Sequence, residues 1–342
     1  MPPKKLAVTI RDVADLAQVS VTTVSHVINN TRYVEPNTRE RVQMAIKSLN
    51  YRPNSLARSL RRRGTATIGL LVPDNSNPFF AEVARVIEDL GFERGYSVIL
   101  CNSDSSEERE ARYVDVLLSK QVDGLLVISA GSHPNFISSI LSSHVPLVVV
   151  DRETPELQAD QVLLDNEVGG ALAAHYLLDL GHQRIGIIIG PNEAAPSALR
   201  FRGFCRALQE RGVAWDDSRC VMGDFHYSGG EQGARKLLDA HPDLTAIFAT
   251  NDLMAMGAVN QARRRGRRVP EDLSIIGFDN ISQSAAFYPP LSTVAQPIEA
   301  LGRHSLNLLL ARIGGDDRPP QRIVLQPSLV IRESCTTPKN ES

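Results

Sequence analysis

The sequence of 342 residues predicts an α/β chain: a small N-terminal helix-turn-helix headpiece, then a long body of two lobes, each a doubly wound parallel sheet. Three observations carry this. From Thr67 onward, apolar runs of strand length alternate with amphipathic stretches of helix length. The alternation runs through two successive sets, each long enough to bury its own core. Charge is also divided: residues 1–63 hold twelve basic and four acidic side chains, net +8, while the remainder holds 25 and 35, net −10. The whole-chain value of −2 is therefore a cancellation. A basic segment on an acidic body is the asymmetry of a module that meets nucleic acid.

Composition removes other classes. A chain 42% hydrophobic and 22% charged is neither disordered nor fibrous. Apolar runs of five or six residues are too short to span a bilayer, so no membrane partner is expected. Met1–Lys5 is basic, but no apolar stretch follows to make a secretory leader. Cys101, Cys205, Cys220 and Cys335 stand far apart without a C-x-x-C, which points to reduced thiols and a cytoplasmic protein.

In the headpiece, Thr9 and Asp12 have capping-box spacing, and Ile10, Val13, Ala14 and Ala17 then share a helical face. Ser20 is a second N-cap, before a helix whose apolar stripe is Val24, Val27 and Ile28. Pro36 opens a third helix with Val42, Ala45, Ile46 and Leu49 in the same period. Two short helices joined by about three residues and backed by a third make a helix-turn-helix. The second helix presents Thr22, Thr23, Ser25, His26 and Asn29 outward, polar groups suited to base edges and phosphates. Arg52–Leu60 reads as a helix of under two turns, marginal alone and therefore able to fold only when pinned.

The run Thr9–Leu60 resembles the headpiece and hinge of the LacI/GalR family of bacterial transcriptional regulators, and Val19–Asn29 resembles its purine- and ribose-repressor branch most closely. The resemblance continues to about Arg332. It implies that Val21, Thr22 and His26 face bases and that Thr9, Ser20, Thr23, Ser25 and Asn29 hold phosphates. It also implies that Leu60 wedges into the minor groove. Glu35 departs from the family's usual Ser before the third helix, and Arg61–Arg63 is more basic than usual.

In the body, strands are expected at Ile68–Val72, Tyr96–Cys101, Gly124–Ile128, Leu147–Val150 and Val162–Leu164, with helices near 78–94, 107–120 and 134–142. The second set has strands Ile185–Ile189, Cys220–Met222, Ala246–Ala249 and Ser274–Gly277, with helices near 167–180, 200–211, 229–240 and 253–265. Leu291–Ala295 is expected to cross back, returning a helix near 297–312 to the first lobe. Near-continuous apolar strands imply parallel sheets covered on both faces, a periplasmic-binding-protein-like core. The expected divisions are a headpiece 1–50, hinge and linker 51–63, first lobe 64–162 with 293–322, second lobe 163–292 with 323–335, and a polar tail 336–342.

Ligands of open α/β sheets sit beyond the carboxyl ends of strands. Those ends supply Asn77, Phe79 and Phe80; Asp151 and Arg152; Phe225; Asn251; and Asp279, with Arg200 opening a helix and Gln296 ending the last strand. Aromatic faces, amides, carboxylates and guanidiniums suit a small neutral polyol, the rings covering C–H faces and the polar groups forking onto hydroxyls. Asp252 is expected only to cap a helix and is left out. The same ten positions resemble the sugar site of ribose-binding proteins. Resemblance to a purine-repressor pocket stops at Phe79, Phe80, Phe225 and Asp279, since Ala194 and Pro196 stand where that pocket needs Arg and Thr.

Enzyme motifs are missing. There is no G-x-G-x-x-G after the first strand, no P-loop, no H-E-x-x-H and no nucleophile elbow. An Asp151/Asp279 acid–base pair fails on the expectation that two flanking arginines keep both ionised. No catalysis, cofactor or metal is therefore expected. The family implies a sugar-responsive repressor acting as a homodimer on a two-fold operator in double-stranded DNA. The tail has no leucine heptads to make a coiled-coil tetramer.

Overall fold

The computed structural model describes residues 8–51, 64–128, 140, 142–152, 158–191 and 195–339. The expected hinge helix with Leu60, the Arg61–Arg63 run, Ala194 and most of the helix near 134–142 lie outside them. The chain divides into two units, Met1–Thr65 and Ala66–Ser342.

The first unit holds α1 (Ile10–Ala17), α2 (Val21–Asn29) and α3 (Pro36–Ser48). The caps are those expected. The Asp12 carboxylate accepts from Thr9 N at 2.7 Å while Thr9 Oγ1 accepts from Asp12 N, and Ser20 Oγ accepts from Thr23 N at 3.1 Å. Gln18, in the left-handed region at φ 52°, ends α1 and starts the turn into α2. Val13, Ala17, Val24, Val27, Val42 and Ala45 meet in a buried core, so three short helices that would be marginal alone support one another. Arg41 donates to the carbonyls of Ala17 and Gln18 at 2.7 and 3.1 Å. This places a cation at the negative end of α1. Glu35 precedes α3 without a side-chain bond to its backbone, and Pro36 still opens the helix.

The first lobe begins with β1 (Thr67–Val72), α4 (Pro78–Glu93), β2 (Ser97–Asn102), α5 (Glu107–Ser119), β3 (Gly124–Val127), β4 (Leu147–Asp151) and β5 (Asp160–Leu164). The second lobe follows with α6 (Asn166–Asp179), β6 (Ile185–Ile189), α7 (Ala195–Glu210), β7 (Cys220–Met222), α8 (Tyr227–Ala240), β8 (Ala246–Ala249), α9 (Asp252–Arg264), β9 (Ser274–Asp279), α10 (Ser282–Ala286) and β10 (Ser292–Ala295). The chain ends with α11 (Ile298–Ile313), β11 (Arg322–Leu325) and β12 (Ser328–Val330).

One six-stranded sheet has the order β11-β5-β4-β3-β1-β2 and the other β12-β10-β9-β8-β6-β7. Their pairings are parallel except β10 with β12. In each sheet the chain steps from its first strand to one side and then crosses to the other. The switch points therefore lie between β1 and β3 and between β6 and β8. β3 and β4 are buried along their whole length, as strands roofed by helices on both faces must be.

Three details correct the expected layout. The divisions at 162/163, 292/293 and 322/323 fall inside strands: β5 and β11 belong whole to the first sheet, and β10 belongs to the second. Leu291–Ala295 therefore does not cross back; the crossing follows at Gln296 and Pro297, and α11 then packs on α4. Among the described residues the lobes are joined at three places: Asp165, Gln296–Pro297 and Gln326–Pro327. The tail is docked at least to Thr336, whose carbonyl accepts from the buried His182 at 2.9 Å. Burial lowers the pKa of that imidazole. α11 is fixed to β5 by Arg312, whose guanidinium grips Asp160 through two bonds of 2.7 and 2.9 Å.

Candidate functional site

The headpiece offers one surface. On α2, Val24 and Val27 turn inward, which leaves Val21, Thr22, Thr23, Ser25, His26 and Asn29 on the outer side, with Val21 40% exposed. Several of the expected contact groups also serve the fold. The hydroxyls of Thr9 and Ser20 cap helices. Asn29 Nδ2 donates to Ser25 O at 2.9 Å, and His26 Nδ1 lies 2.8 Å from Thr31 Oγ1. The helix therefore holds its own polar face in place before any partner arrives.

The second surface is a cavity of about 330 Å³ between the two sheets, at their carboxyl ends. All ten side chains expected to bind ligand line it: Asn77, Phe79, Phe80, Asp151, Arg152, Arg200, Phe225, Asn251, Asp279 and Gln296. The two switch points explain the convergence. Asn77–Phe80 follow β1 and start α4, where Asn77 Oδ1 accepts from Phe79 N at 3.1 Å. Phe79 and Phe80 meet edge to face, 5.1 Å between centroids. Asp151, Phe225 and Asp279 sit at φ 70°, 66° and 110°. Three non-glycine residues in the left-handed region within one cavity mark a site held against local backbone preference.

Arg200 ties the second lobe together. It lies within α7 and does not open it, because Pro196 supplies a start several residues earlier. Its Nε donates to Asn166 Oδ1 at 2.8 Å and its Nη1 to Thr250 O at 2.6 Å. The guanidinium lies 3.7 Å from the Phe278 ring centre and 3.5 Å from Asp279 Oδ1. Gly170 of α6 permits this, since a Cβ there would stand 1.9 Å from the Arg200 carbonyl oxygen. Asn166, Thr250 and Phe278 were not anticipated from the sequence. Asn166 stands two residues beyond the carboxyl end of β5, a signal that the strand-end rule contained.

Asn251, and not the expected Asp252, caps α9. Asn251 Oδ1 accepts from Met254 N at 3.0 Å while its Nδ2 donates to Phe225 O at 2.8 Å. Asp252 is buried beyond the cavity, accepting from Thr293 Oγ1 at 2.6 Å and Ile281 N at 3.0 Å. Asn251 thus positions Phe225 as well as lining the cavity.

The expected ionisation of the carboxyls is also corrected. Burial raises Asp151 against the pull of Arg200 and Arg152. Burial likewise pushes Asp279 up to about 7, against Arg200 and the hydrogen bond from Gln296. Desolvation penalises the charged form more than the neighbouring cations favour it. Two acceptors, Asp151 Oδ1 and Gln296 Oε1, are fully buried and take no hydrogen bond from the described residues. Gln296 Nε2 meanwhile donates to Asp279 Oδ1 at 2.8 Å. The site therefore asks its ligand for donors. No group of three or more potential metal ligands occurs among the described residues, and no described helix is long and apolar enough to cross a membrane.

Known proteins resemble this chain in both its headpiece and its body. Residues 9–54 match the model of bacterial regulatory proteins, lacI family, and residues 174–335 that of the periplasmic binding protein-like domain. The chain is 42% identical to the HTH-type transcriptional repressor PurR of Proteus mirabilis (strain HI4320), over 95% of this chain and 96% of that protein. Among solved structures it is similar to the lac repressor dimer bound to operator and the anti-inducer ONPF, with TM-score 0.86 and 28% identity over 97% and 100% of the two chains. It is also similar to a LacI family transcriptional regulator from Enterococcus faecium with bound ribose, with TM-score 0.73 and 35% identity over 80% and 100%.

Proposed function

The chain belongs to the lacI family of bacterial regulatory proteins and is a ligand-responsive, DNA-binding repressor; from that premise we propose that its effector is D-ribose or a related pentose, bound in the cleft and acting as an inducer. The observation that carries this is the pair of buried acceptors, Asp151 Oδ1 and Gln296 Oε1. Buried acceptors without donors are costly, and the hydroxyls of a small sugar supply donors at close spacing. Phe79, Phe80 and Phe225 give apolar walls for the C–H faces of the ring. The repressor works as a homodimer on a palindromic operator in the bacterial cytoplasm. Pentose binding changes the relation of the lobes, shifts the population away from the DNA-competent state and releases the operator. The relatives matched over nearly the whole chain are transcriptional repressors, and no catalytic role is assigned.

A purine-responsive, co-repressed regulator is the second reading, favoured by the 42% identity to PurR. Against it, Pro196 occupies the first turn of α7 and offers no donor to a base. Calorimetric titration with D-ribose, other pentoses, hexoses, hypoxanthine and guanine separates the two, paired with a gel shift on operator DNA. The pentose reading expects ribose to bind and to weaken the DNA complex. Tighter operator binding on adding ribose reverses the sign, and binding of hypoxanthine with ribose silent replaces the effector.

A further inference from the structure

We propose that His226 and Asp74 form a clasp across the mouth of the cleft that raises effector affinity when the imidazole is protonated. The proposal rests on the reading of the cleft as an effector site. Asp74 follows β1 in the first lobe; His226 precedes α8 in the second; both line the cavity. His226 Nδ1 stands 3.8 Å from Asp74 Oδ2, with the side chains 52% and 21% exposed. Each partner is held in position from its own side. Asp74 Oδ1 accepts from Ser76 N and Ser76 Oγ at 2.9 and 2.7 Å, which leaves Oδ2 for the imidazole. Asp224 Oδ1 accepts from His226 N at 2.8 Å and fixes that loop. The lobes meet a second time where Ser282 N donates to Glu82 Oε1 at 2.9 Å, so the closed relation does not depend on the clasp alone.

Histidine is the side chain whose charge changes between pH 5 and 8. A protonated imidazole is drawn to Asp74 only when the lobes are together, so proton uptake and closure favour each other. Affinity gained from the clasp is therefore present at low pH and lost as pH rises. The other charged groups around His226 are Asp224 in its own loop and, on the cavity walls, Asp151 and Arg152 after β4, Arg200 on α7 and Asp279 after β9. Asp104, next to Ser105 on the wall, is held by Arg109. Asp279 titrates against the clasp, since its protonation at low pH removes a charged acceptor from the ligand. For this reason the diagnostic quantity is a ratio between proteins at one pH, in which Asp279 cancels.

The test is calorimetric titration of the full chain with D-ribose at pH 5.5 and 8.0, using the wild type, His226→Gln and Asp74→Asn. The ratio of wild-type to variant affinity should be roughly two- to fivefold larger at pH 5.5 than at pH 8.0, as befits a half-exposed ion pair. The double variant should add nothing. An equal ratio at both pH values overturns the clasp. A second readout does not need ribose: energy transfer between fluorophores on the two lobes of the ligand-free chain. The clasp requires the wild-type lobes to draw closer at pH 5.5 and those of both variants not to. Closure of that kind without ribose binding keeps the clasp and overturns the pentose; ribose binding without it does the reverse.

Discussion

The headpiece and the cleft meet their partners by opposite means. On α2 the polar groups stand at the surface, held by neighbours one or two turns away, with only apolar side chains beneath them. In the cleft the polar groups are buried: Asp151, Arg200, Asn251, Asp279 and Gln296 are each no more than 6% exposed. A surface of exposed polar groups in a segment whose sequence carries a net +8 suits a polyanion, whose affinity is largely electrostatic and falls with salt. A buried constellation suits a small neutral ligand, where each unpaired group costs its full desolvation. The difference teaches where sensitivity lies. The head tolerates losing one contact, whereas the cleft does not.

Removing one cleft charge should expose the contrast most strongly. Asp279→Ala leaves Arg200 and Gln296 Nε2 without a shared acceptor, and ribose affinity should drop by about 3 kcal/mol by calorimetry. Operator affinity without ligand should hold. Unchanged ribose affinity in both Asp279→Ala and Arg200→Ala would break the assignment of the cavity. A smaller effect is expected with pH. The carboxyl of Asp279, pushed up to about 7 by burial, keeps its proton in the folded protein where the unfolded chain has already lost it. Stability of the ligand-free body should therefore fall as pH rises from the ordinary carboxylate range to about 7, and level off above it. On the pentose reading the sugar donates to the charged acceptor, so ribose affinity should rise over the same interval. Melting curves of the wild type and Asp279→Asn at several pH values check this; parallel curves would contradict it. The smallest effect belongs to the head. Ser20→Ala removes the cap of α2 and should cost about 1 kcal/mol, visible as weaker operator binding with ribose affinity intact. A change in ribose affinity there would blur the distinction between the two surfaces.

The same contrast explains what the sequence made legible. The headpiece is local: Thr9 with Asp12, Ser20 and Pro36 announce helix starts within a few residues of the apolar stripes they serve. The cleft is assembled from distant strand ends, yet the rule that ligands sit beyond carboxyl ends pointed to ten of the residues that line it. Roles within it were less legible. Asn251 and Asp252 are adjacent and chemically alike, and only the path of the chain decides which one caps α9. Arg200 is spent partly on Asn166 and Thr250, partners that no spacing pattern connects to it. The titration of Asp151 and Asp279 follows from depth, which a sequence does not display. β11 and β12 leave little trace in the sequence because they are short and half exposed, with a charged or polar residue at the head of each.

The three links between the lobes have a mechanical consequence. A body hung on one tether can swing in any direction, whereas each further link among the described residues removes some of that freedom. Twisting and sliding would stretch at least one link. The middle link of the chain order carries Gln296, which also lines the cavity, so whatever sits there leans on the pivot itself. A small molecule in the cavity would therefore act on the connection between the lobes as well as on their walls.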